Sequence, residues 1–201
     1  MTKALIYIHG LGGNAQEAEQ FRPILKDYDV FGLDFDDFTA WGTREPILSA
    51  FNNLQKSHET VSILANSIGA YFSMLALKNC PVERAFFVSP VLDLEQIILG
   101  MMKSSGITEA KLCEVGEILT ASGELISWKY LRYVRDNPVQ WNVATEILYG
   151  ENDNITSLET VKAFATRHNA SLTIMKDGEH WFHTPEQLEF LYDWLQTATS
   201  S

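Results

Sequence analysis

The stretch Val61-Ser62-Ile63-Leu64-Ala65-Asn66-Ser67-Ile68-Gly69-Ala70-Tyr71 decides how this chain folds. Thr60 to Leu64 is short, apolar and rich in β-branched residues, the composition of a buried strand. Ala70, Tyr71, Met74, Leu75 and Leu77 then recur at helical spacing and predict a helix that ends near Asn79. Between them lies Ala65-Asn66-Ser67-Ile68-Gly69, the small-x-Ser-x-small pattern of a nucleophile elbow, with Ala in place of the usual first Gly. A strand that turns this sharply into a helix brings two backbones together, so only small side chains fit at Ala65 and Gly69. The turn holds Ser67 at its tip with its hydroxyl free. The helix N-terminus behind it offers backbone N–H groups and a positive dipole end to an oxyanion. Ser67 alone is equally readable as a helix cap. Its role depends on whether a base, an acid and an oxyanion loop stand where such a site needs them.

On the N-terminal side of the elbow, Ala4 to Ile8 reads as a buried strand and His9-Gly10-Leu11-Gly12-Gly13-Asn14 as a glycine-rich turn. Gln16 to Asp27 has a helical face of Ala18, Phe21, Ile24 and Leu25, with Pro23 placed to interrupt it. Asp29 to Leu33 predicts a second strand and Arg44 to Gln55 a helix. On the C-terminal side, Arg84 to Val88 predicts a strand, after which the alternation pauses at Ser89-Pro90. Asp93 to Lys103, Thr108 to Leu119 and Ser127 to Arg135 each look helical, with Gly106, Gly123 and Pro138 as punctuation. The alternation resumes with a strand at Thr145 to Tyr149, a helix at Leu158 to His168 and a strand at Ser171 to Met175. A last helix runs from Pro185 to Gln196, with Thr184 as its N-cap, and a polar tail covers Thr197 to Ser201. Six strands alternating with helices imply an α/β fold with a parallel sheet between two helical layers. Such folds place their chemistry at the carboxyl ends of the strands.

Composition narrows the function. The 201 residues suit one domain with a sizeable core, and 46% hydrophobic with 20% charged residues is ordinary for a globular protein. A net charge of −11 with no run of Lys or Arg argues against nucleic acid or an anionic membrane surface as a partner. Cys80 and Cys113 lie in no metal-like or redox-like spacing and read as reduced, mostly buried thiols of a cytoplasmic protein. The N-terminus enters a strand at once, which leaves no room for a signal peptide, and no apolar run is long enough to span a membrane. Nothing in the sequence speaks to oligomeric state.

Residues of catalytic type do follow the strands. Gly150-Glu151-Asn152-Asp153-Asn154 follows the fifth, and Asp177-Gly178-Glu179-His180-Trp181-Phe182-His183 the sixth. The chain order Ser67, Asp153, His180 is that of α/β-hydrolases and differs from the orders of other serine hydrolase folds. The chemistry needs these three types. A serine hydroxyl is a poor nucleophile until an imidazole takes its proton. A carboxylate fixes the imidazole's tautomer and stabilises the imidazolium that forms. Two neighbours compete for these places: Glu151 with Asp153, and His183 with His180. A metal site built from the two histidines and a carboxylate lacks a supporting ligand spacing. The glycine-rich turn after the first strand misses the Gly-x-Gly-x-x-Gly spacing of a dinucleotide site.

With these residues in place, the chain resembles a small bacterial-type α/β-hydrolase fold protein of the serine esterase and lipase superfamily, from the first strand to the last helix. His9-Gly10-Leu11-Gly12-Gly13 resembles the His-Gly-containing oxyanion loop of that superfamily. The resemblance implies Ser67 as nucleophile, Asp153 as acid, His180 as base, and the backbone N–H groups of Leu11 and Ile68 as the oxyanion hole. It favours Asp153 over Glu151 through the spacing Gly150-x-x-Asp153, and His180 over His183 through the preceding Gly178-Glu179 pair. It implies a six-stranded, mainly parallel sheet in the spatial order second, first, third, fourth, fifth, sixth, without the N-terminal antiparallel hairpin of the full fold. It also implies a helical cap inserted at about residues 91–141. There Leu94, Ile97, Ile98, Met101 and Met102 offer an apolar face. Trp41, Trp128, Trp141 and Trp181 add to a mainly apolar pocket. The expected activity is hydrolysis of a small, largely apolar carboxylic ester, with no cofactor and no metal. A thioesterase, an amidase or a C–C bond hydrolase would use the same residues, and a non-catalytic binding protein would keep the same fold.

Overall fold

A computed structural model describes residues 2–200 of the chain. The chain divides into two compact units, one formed by Met1–Leu92 with Gln140–Ser201 and the other by Asp93–Val139.

The larger unit is built on six strands: β1 (Lys3–Ile8), β2 (Tyr28–Leu33), β3 (Val61–Asn66), β4 (Ala85–Val88), β7 (Thr145–Gly150) and β8 (Ser171–Met175). They pair in the order β2-β1-β3-β4-β7-β8, every neighbour parallel, which is the expected spatial order. The central strands read as continuous apolar runs because both faces of the sheet are covered. On one face Leu5, Tyr7, Leu64, Phe86, Val88 and Leu148 pack with Phe21 and with Leu191, Trp194 and Leu195 of the last helix, α7 (Pro185–Ser200). The alternate strand residues turn to the other face. There α2 (Ile68–Leu77), nine of whose ten residues are buried, packs on β1, β3 and α1 (Arg44–Leu54). Helix α6 (Leu158–His168) joins β7 to β8.

The smaller unit holds α3 (Leu94–Ser104), α4 (Glu109–Val115), a two-stranded antiparallel pair β5 (Glu117–Leu119) and β6 (Leu125–Ser127), and α5 (Trp128–Asp136). Helix α4 therefore stops short of the expected Leu119. Gly116, at φ 82, ends it, and Glu117-Ile118-Leu119 pairs across a turn with Leu125-Ile126-Ser127. Ile118 and Ile126 face each other in that pair, where β-branched side chains fit a pleated surface.

Three further expectations are corrected. The segment from Gln16 to Asp27 is a 3-10 helix over Ala15–Phe21 only, since Pro23 has no N–H to continue it. The polar tail from Thr197 is helical to Ser200, with Ala198 buried in the core cluster and the hydroxyls of Thr199 and Ser200 bonded to the carbonyls of Leu195 and Gln196; Ser201 lies outside the described residues. Neither cysteine is buried: Cys80 is half-buried in the turn after α2 and Cys113 is exposed beside the inward-facing Leu112. Among the described residues no helix is long and apolar enough to cross a membrane.

Trp141, expected beside an apolar pocket, is a core residue of the larger unit. It is 1% exposed, its ring lies 5.9 Å from that of Phe87, and its indole N–H donates to Thr145 Oγ1 at 2.8 Å. Trp141→Ala should therefore behave as a core truncation and lower unfolding stability by about 3–5 kcal/mol, with Trp141→Phe losing less. Urea unfolding of the two variants checks this. Wild-type stability in Trp141→Ala would return the residue to the surface.

Candidate active site

The site begins with a strained residue. Ser67 stands between β3 and α2 at φ 53, ψ −123, a region that L side chains rarely adopt and that costs on the order of 1–3 kcal/mol. Its surroundings hold it there. The Ser67 N–H donates to the Val88 carbonyl at 3.0 Å, and its own carbonyl accepts from Ala70 at 3.2 Å and Val91 at 3.0 Å. The first turn of α2 runs against the end of β1 so closely that a Cβ on Gly69 would stand 2.5 Å from the Ile8 carbonyl oxygen and 2.7 Å from that of His9. The side chain of Ser67 makes no capping bond to its helix, so the hydroxyl is free for other work.

That hydroxyl meets an imidazole. Ser67 Oγ lies 2.9 Å from His180 Nε2, and His180 Nδ1 lies 2.7 Å from Asp153 Oδ2. With the carboxylate as acceptor, Nδ1 carries the proton and Nε2 accepts from the serine. The Asp153 side chain is fully buried. Its second oxygen accepts the N–H groups of Ile155 at 2.8 Å and Thr156 at 3.0 Å, which compensates the carboxylate for lost water. Thr156 is held in turn: its hydroxyl donates to Pro90 at 3.1 Å, and its carbonyl accepts the phenol of Tyr149 at 2.8 Å. Burial, then the charge of Asp153, then that of Glu159, push the Tyr149 phenol up to about 12.

The loops that carry Asp153 and His180 are joined backbone to backbone. A Cβ on Gly150 would stand 2.4 Å from the Glu179 carbonyl, and the Asn152 N–H donates to the Gly178 carbonyl at 2.7 Å. The two rival residues are occupied elsewhere. Glu151 turns its carboxylate to the N–H of Asp177 at 3.1 Å. His183 points Nδ1 at the Trp181 carbonyl at 2.7 Å, stacks on the Trp181 ring, and lies 3.5 Å from the Glu179 carboxylate. Among the described residues no group of three or more His, Cys, Asp or Glu is placed to hold a metal ion.

The turn after β1 lies beside Ser67. A Cβ on Gly10 would stand 3.1 Å from Ser67 Cβ. The Gly10 carbonyl accepts from His9 Nδ1 at 2.8 Å and from the Gly13 N–H at 3.1 Å. In a planar trans peptide the N–H points opposite to the C=O, so fixing the Gly10 carbonyl also fixes the direction of the Leu11 N–H. His9 is buried and stacked on Phe38, with ring centroids 4.9 Å apart and planes 6° from parallel. Neither the Leu11 nor the Ile68 N–H donates to a protein acceptor among the described residues.

Ser67, His180 and Asp153 are thus brought together; Ile68 follows the serine directly at the start of α2, and Leu11 follows Gly10, the residue of the β1 loop that lies against Ser67. Sequence reading missed the supports: Tyr149, Thr156 and the aromatic clamp on His9. It also missed Glu17, which had a signal, since Asn14-x-x-Glu17 is a capping-box spacing and the structure forms that box.

No family model matches the chain, and no curated protein sequence does. Solved structures match throughout. Est1E from Butyrivibrio proteoclasticus is similar over 98% of this chain and 87% of its own, with a TM-score of 0.79 and 17% identity. Alpha/beta hydrolase domain-containing protein 10 from mouse is similar over 98% and 89%, with a TM-score of 0.79 and 14% identity. An esterase from Pyrococcus furiosus is similar over 97% and 80%, with a TM-score of 0.65 and 18% identity. The chain has the α/β-hydrolase fold.

The Tyr149 phenol ties the acid turn to the sheet and makes a pH prediction. Its folded value is raised above the unfolded value, so its contribution to stability is complete below about pH 10 and is lost as pH rises towards 12. Urea midpoints taken from pH 8 to 11.5 should fall more steeply above pH 10 in the wild type than in Tyr149→Phe. Parallel curves would mean the phenol ionises as freely in the fold as outside it.

Proposed function

Starting from an α/β-hydrolase fold, we propose that this protein is a serine hydrolase of carboxylic esters that works through an acyl-enzyme. One observation carries the reading. Ser67, His180 and Asp153 form an unbroken hydrogen-bonded chain, with separations of 2.9 and 2.7 Å, and it ends on a fully buried carboxylate. Such a chain has little other use, because burying a carboxylate to orient one largely buried imidazole is costly.

In the proposed reaction Ser67 Oγ attacks the ester carbonyl carbon while His180 Nε2 takes the hydroxyl proton. Asp153 keeps the ring in the tautomer that leaves Nε2 free and stabilises the imidazolium. The carbonyl oxygen becomes an oxyanion facing the N–H groups of Leu11 and Ile68, and the positive end of α2 adds to their effect. The tetrahedral intermediate collapses: the carbon–oxygen bond to the alcohol breaks, and His180 returns the proton to the alcohol as it leaves. A water molecule, deprotonated by His180, then attacks the Ser67 ester, and the acid is released with Ser67 restored. No metal or cofactor enters these steps.

Exposed apolar side chains flank the working groups. Leu11, beside one oxyanion amide, is 85% exposed, and Trp181, next to His180, is 69% exposed. They favour an uncharged, largely apolar small-molecule ester. The similarity to Est1E, another structure of which carries ferulic acid, places esters of aromatic acids in the first substrate panel beside short and medium acyl esters. Nucleic acid and membrane surfaces have no place in this reading. The insert Asp93–Val139 is proposed as the cap.

Purified protein should hydrolyse such esters without added metal or nucleotide, and a fluorophosphonate should label Ser67 as seen by peptide mass spectrometry. Ser67→Ala should remove turnover almost entirely, by roughly 10⁶ in a comparable triad enzyme, and Asp153→Asn should lower it by orders of magnitude. Undiminished hydrolysis by Ser67→Ala would rule this mechanism out.

A further inference from the structure

Beneath the oxyanion loop lies a polar knot that the proposed reaction does not use. The phenol of Tyr7, on β1 and 3% exposed, donates to Glu17 Oε2 at 2.5 Å. The other oxygen of that carboxylate accepts the Asn14 N–H at 3.3 Å, closing the capping box at the far end of the loop. It also presses on Gly13, where a Cβ would stand 2.6 Å from it. At the near end of the loop, Asn66 Nδ2 lies against Gly10, 3.6 Å from where its Cβ would be. Tyr7, Glu17 and Asn66 share the wall of one cavity of about 290 Å³. Asn66 is the residue immediately before Ser67.

The arrangement joins two pieces of backbone that no secondary structure joins. The Leu11 N–H belongs to a loop anchored at Gly13, Asn14 and Glu17. The Ile68 N–H belongs to the elbow, anchored through Asn66. An oxyanion hole works only if its donors are held at hydrogen-bond distance from one point before the charge develops there. Tyr7 is bonded to the first anchor through Glu17 and lines the same cavity as the second, Asn66. The burial of its phenol, together with the neighbouring Glu17 charge, holds the proton on Tyr7 throughout the working pH range, so the bond to Glu17 is constant.

We propose that Glu17 is a positioning residue of the reaction, acting through Tyr7 and Asn66 to hold the oxyanion loop in register with the nucleophile elbow. This rests on the serine-hydrolase reading above. Glu17 touches no reacting atom. Its effect is to keep the Leu11 N–H aimed at the point that the Ile68 N–H also serves.

Three variants separate positioning from simple stability. Tyr7→Phe removes the phenol and leaves the capping box whole. Glu17→Ala removes both, and Glu17→Gln, which keeps the capping geometry and an acceptor oxygen, should rescue it. Loss of a whole oxyanion donor costs 10²–10³ in kcat, so a misaimed one should cost about tenfold to a hundredfold. The expected result is a fall of that size in kcat for Tyr7→Phe and Glu17→Ala, with KM unchanged, slower labelling of Ser67 by a fluorophosphonate, and recovery of most of kcat in Glu17→Gln. Melting curves run alongside give the folded fraction. Wild-type kcat per folded molecule in Tyr7→Phe and Glu17→Ala would overturn the assignment, as would a loss in Tyr7→Phe no larger than its unfolded fraction. Failure of the wild-type Ser67 to take the label is a different result and would remove the underlying hydrolase reading instead.

Discussion

The site depends on one contact between backbones. The first turn of α2 rests on the carbonyls of Ile8 and His9, at a distance that leaves room for a hydrogen on Gly69 and nothing larger. Because β1 and β3 are hydrogen-bonded neighbours, the two chain segments leave the sheet side by side. The contact keeps them together past the sheet's edge, so the loop after β1 and the turn after β3 emerge as a pair. Ser67 is held in its strained conformation by bonds to Val88, Ala70 and Val91, which belong to the next strand, its own helix and the loop beyond β4. Strain at a residue of this kind persists only where the surroundings fix it from several sides.

Much of this was legible in the sequence. Buried parallel strands announce themselves as unbroken apolar runs, and helices α6 and α7 as periodic segments, the latter with Thr184 before it. Ser67, Asp153 and His180 stood out because each follows a strand, and a short local spacing sufficed to prefer Asp153 over Glu151. What was not legible depends on contacts distant in sequence or on a single backbone angle. The 3-10 helix ends at Phe21 because Pro23 outweighs an apolar face that runs on to Leu25. The strand pair after Val115 was hidden because Glu117-Ile118-Leu119 continues a helical pattern as well as it begins a strand. Trp141 looked like pocket material, but its partners Phe87 and Thr145 come from the sheet. Tyr7 reads simply as one more apolar strand residue, and only the fold reveals that its hydroxyl lands on Glu17.

The insert Asp93–Val139 carries its own means of staying folded. Arg135, in the last turn of α5, donates in a fork to both oxygens of Glu109 at 2.7 and 2.8 Å and through Nε to Glu95 at 2.6 Å. One guanidinium thereby ties together α3, α4 and α5, a use that its planar donor geometry allows and that lysine would not reproduce. The arrangement holds Glu109 below the usual carboxylate range through the hydrogen bonds from Arg135. Leu94, Ile98, Met102, Leu112, Leu131 and Val134 are the insert's buried apolar residues, and α5 contacts both α3 and α4.

Asp153 and His180 lie only 27 residues apart, on the loops after two adjacent strands. The segment β7–α6–β8–α7 therefore contains the whole imidazole–carboxylate relay, including the Tyr149 and Glu151 bonds that brace it. Ser67 and the loop after β1 come from the opposite half of the sheet, across β4. Seen as heredity, the candidate site is two cassettes that meet at the Ser67–His180 and Thr156–Pro90 bonds and along the β4–β7 ladder. Recombination between relatives at the junction before Thr145 would pass on either cassette intact, and an exchanged half would have to match its partner only at those contacts.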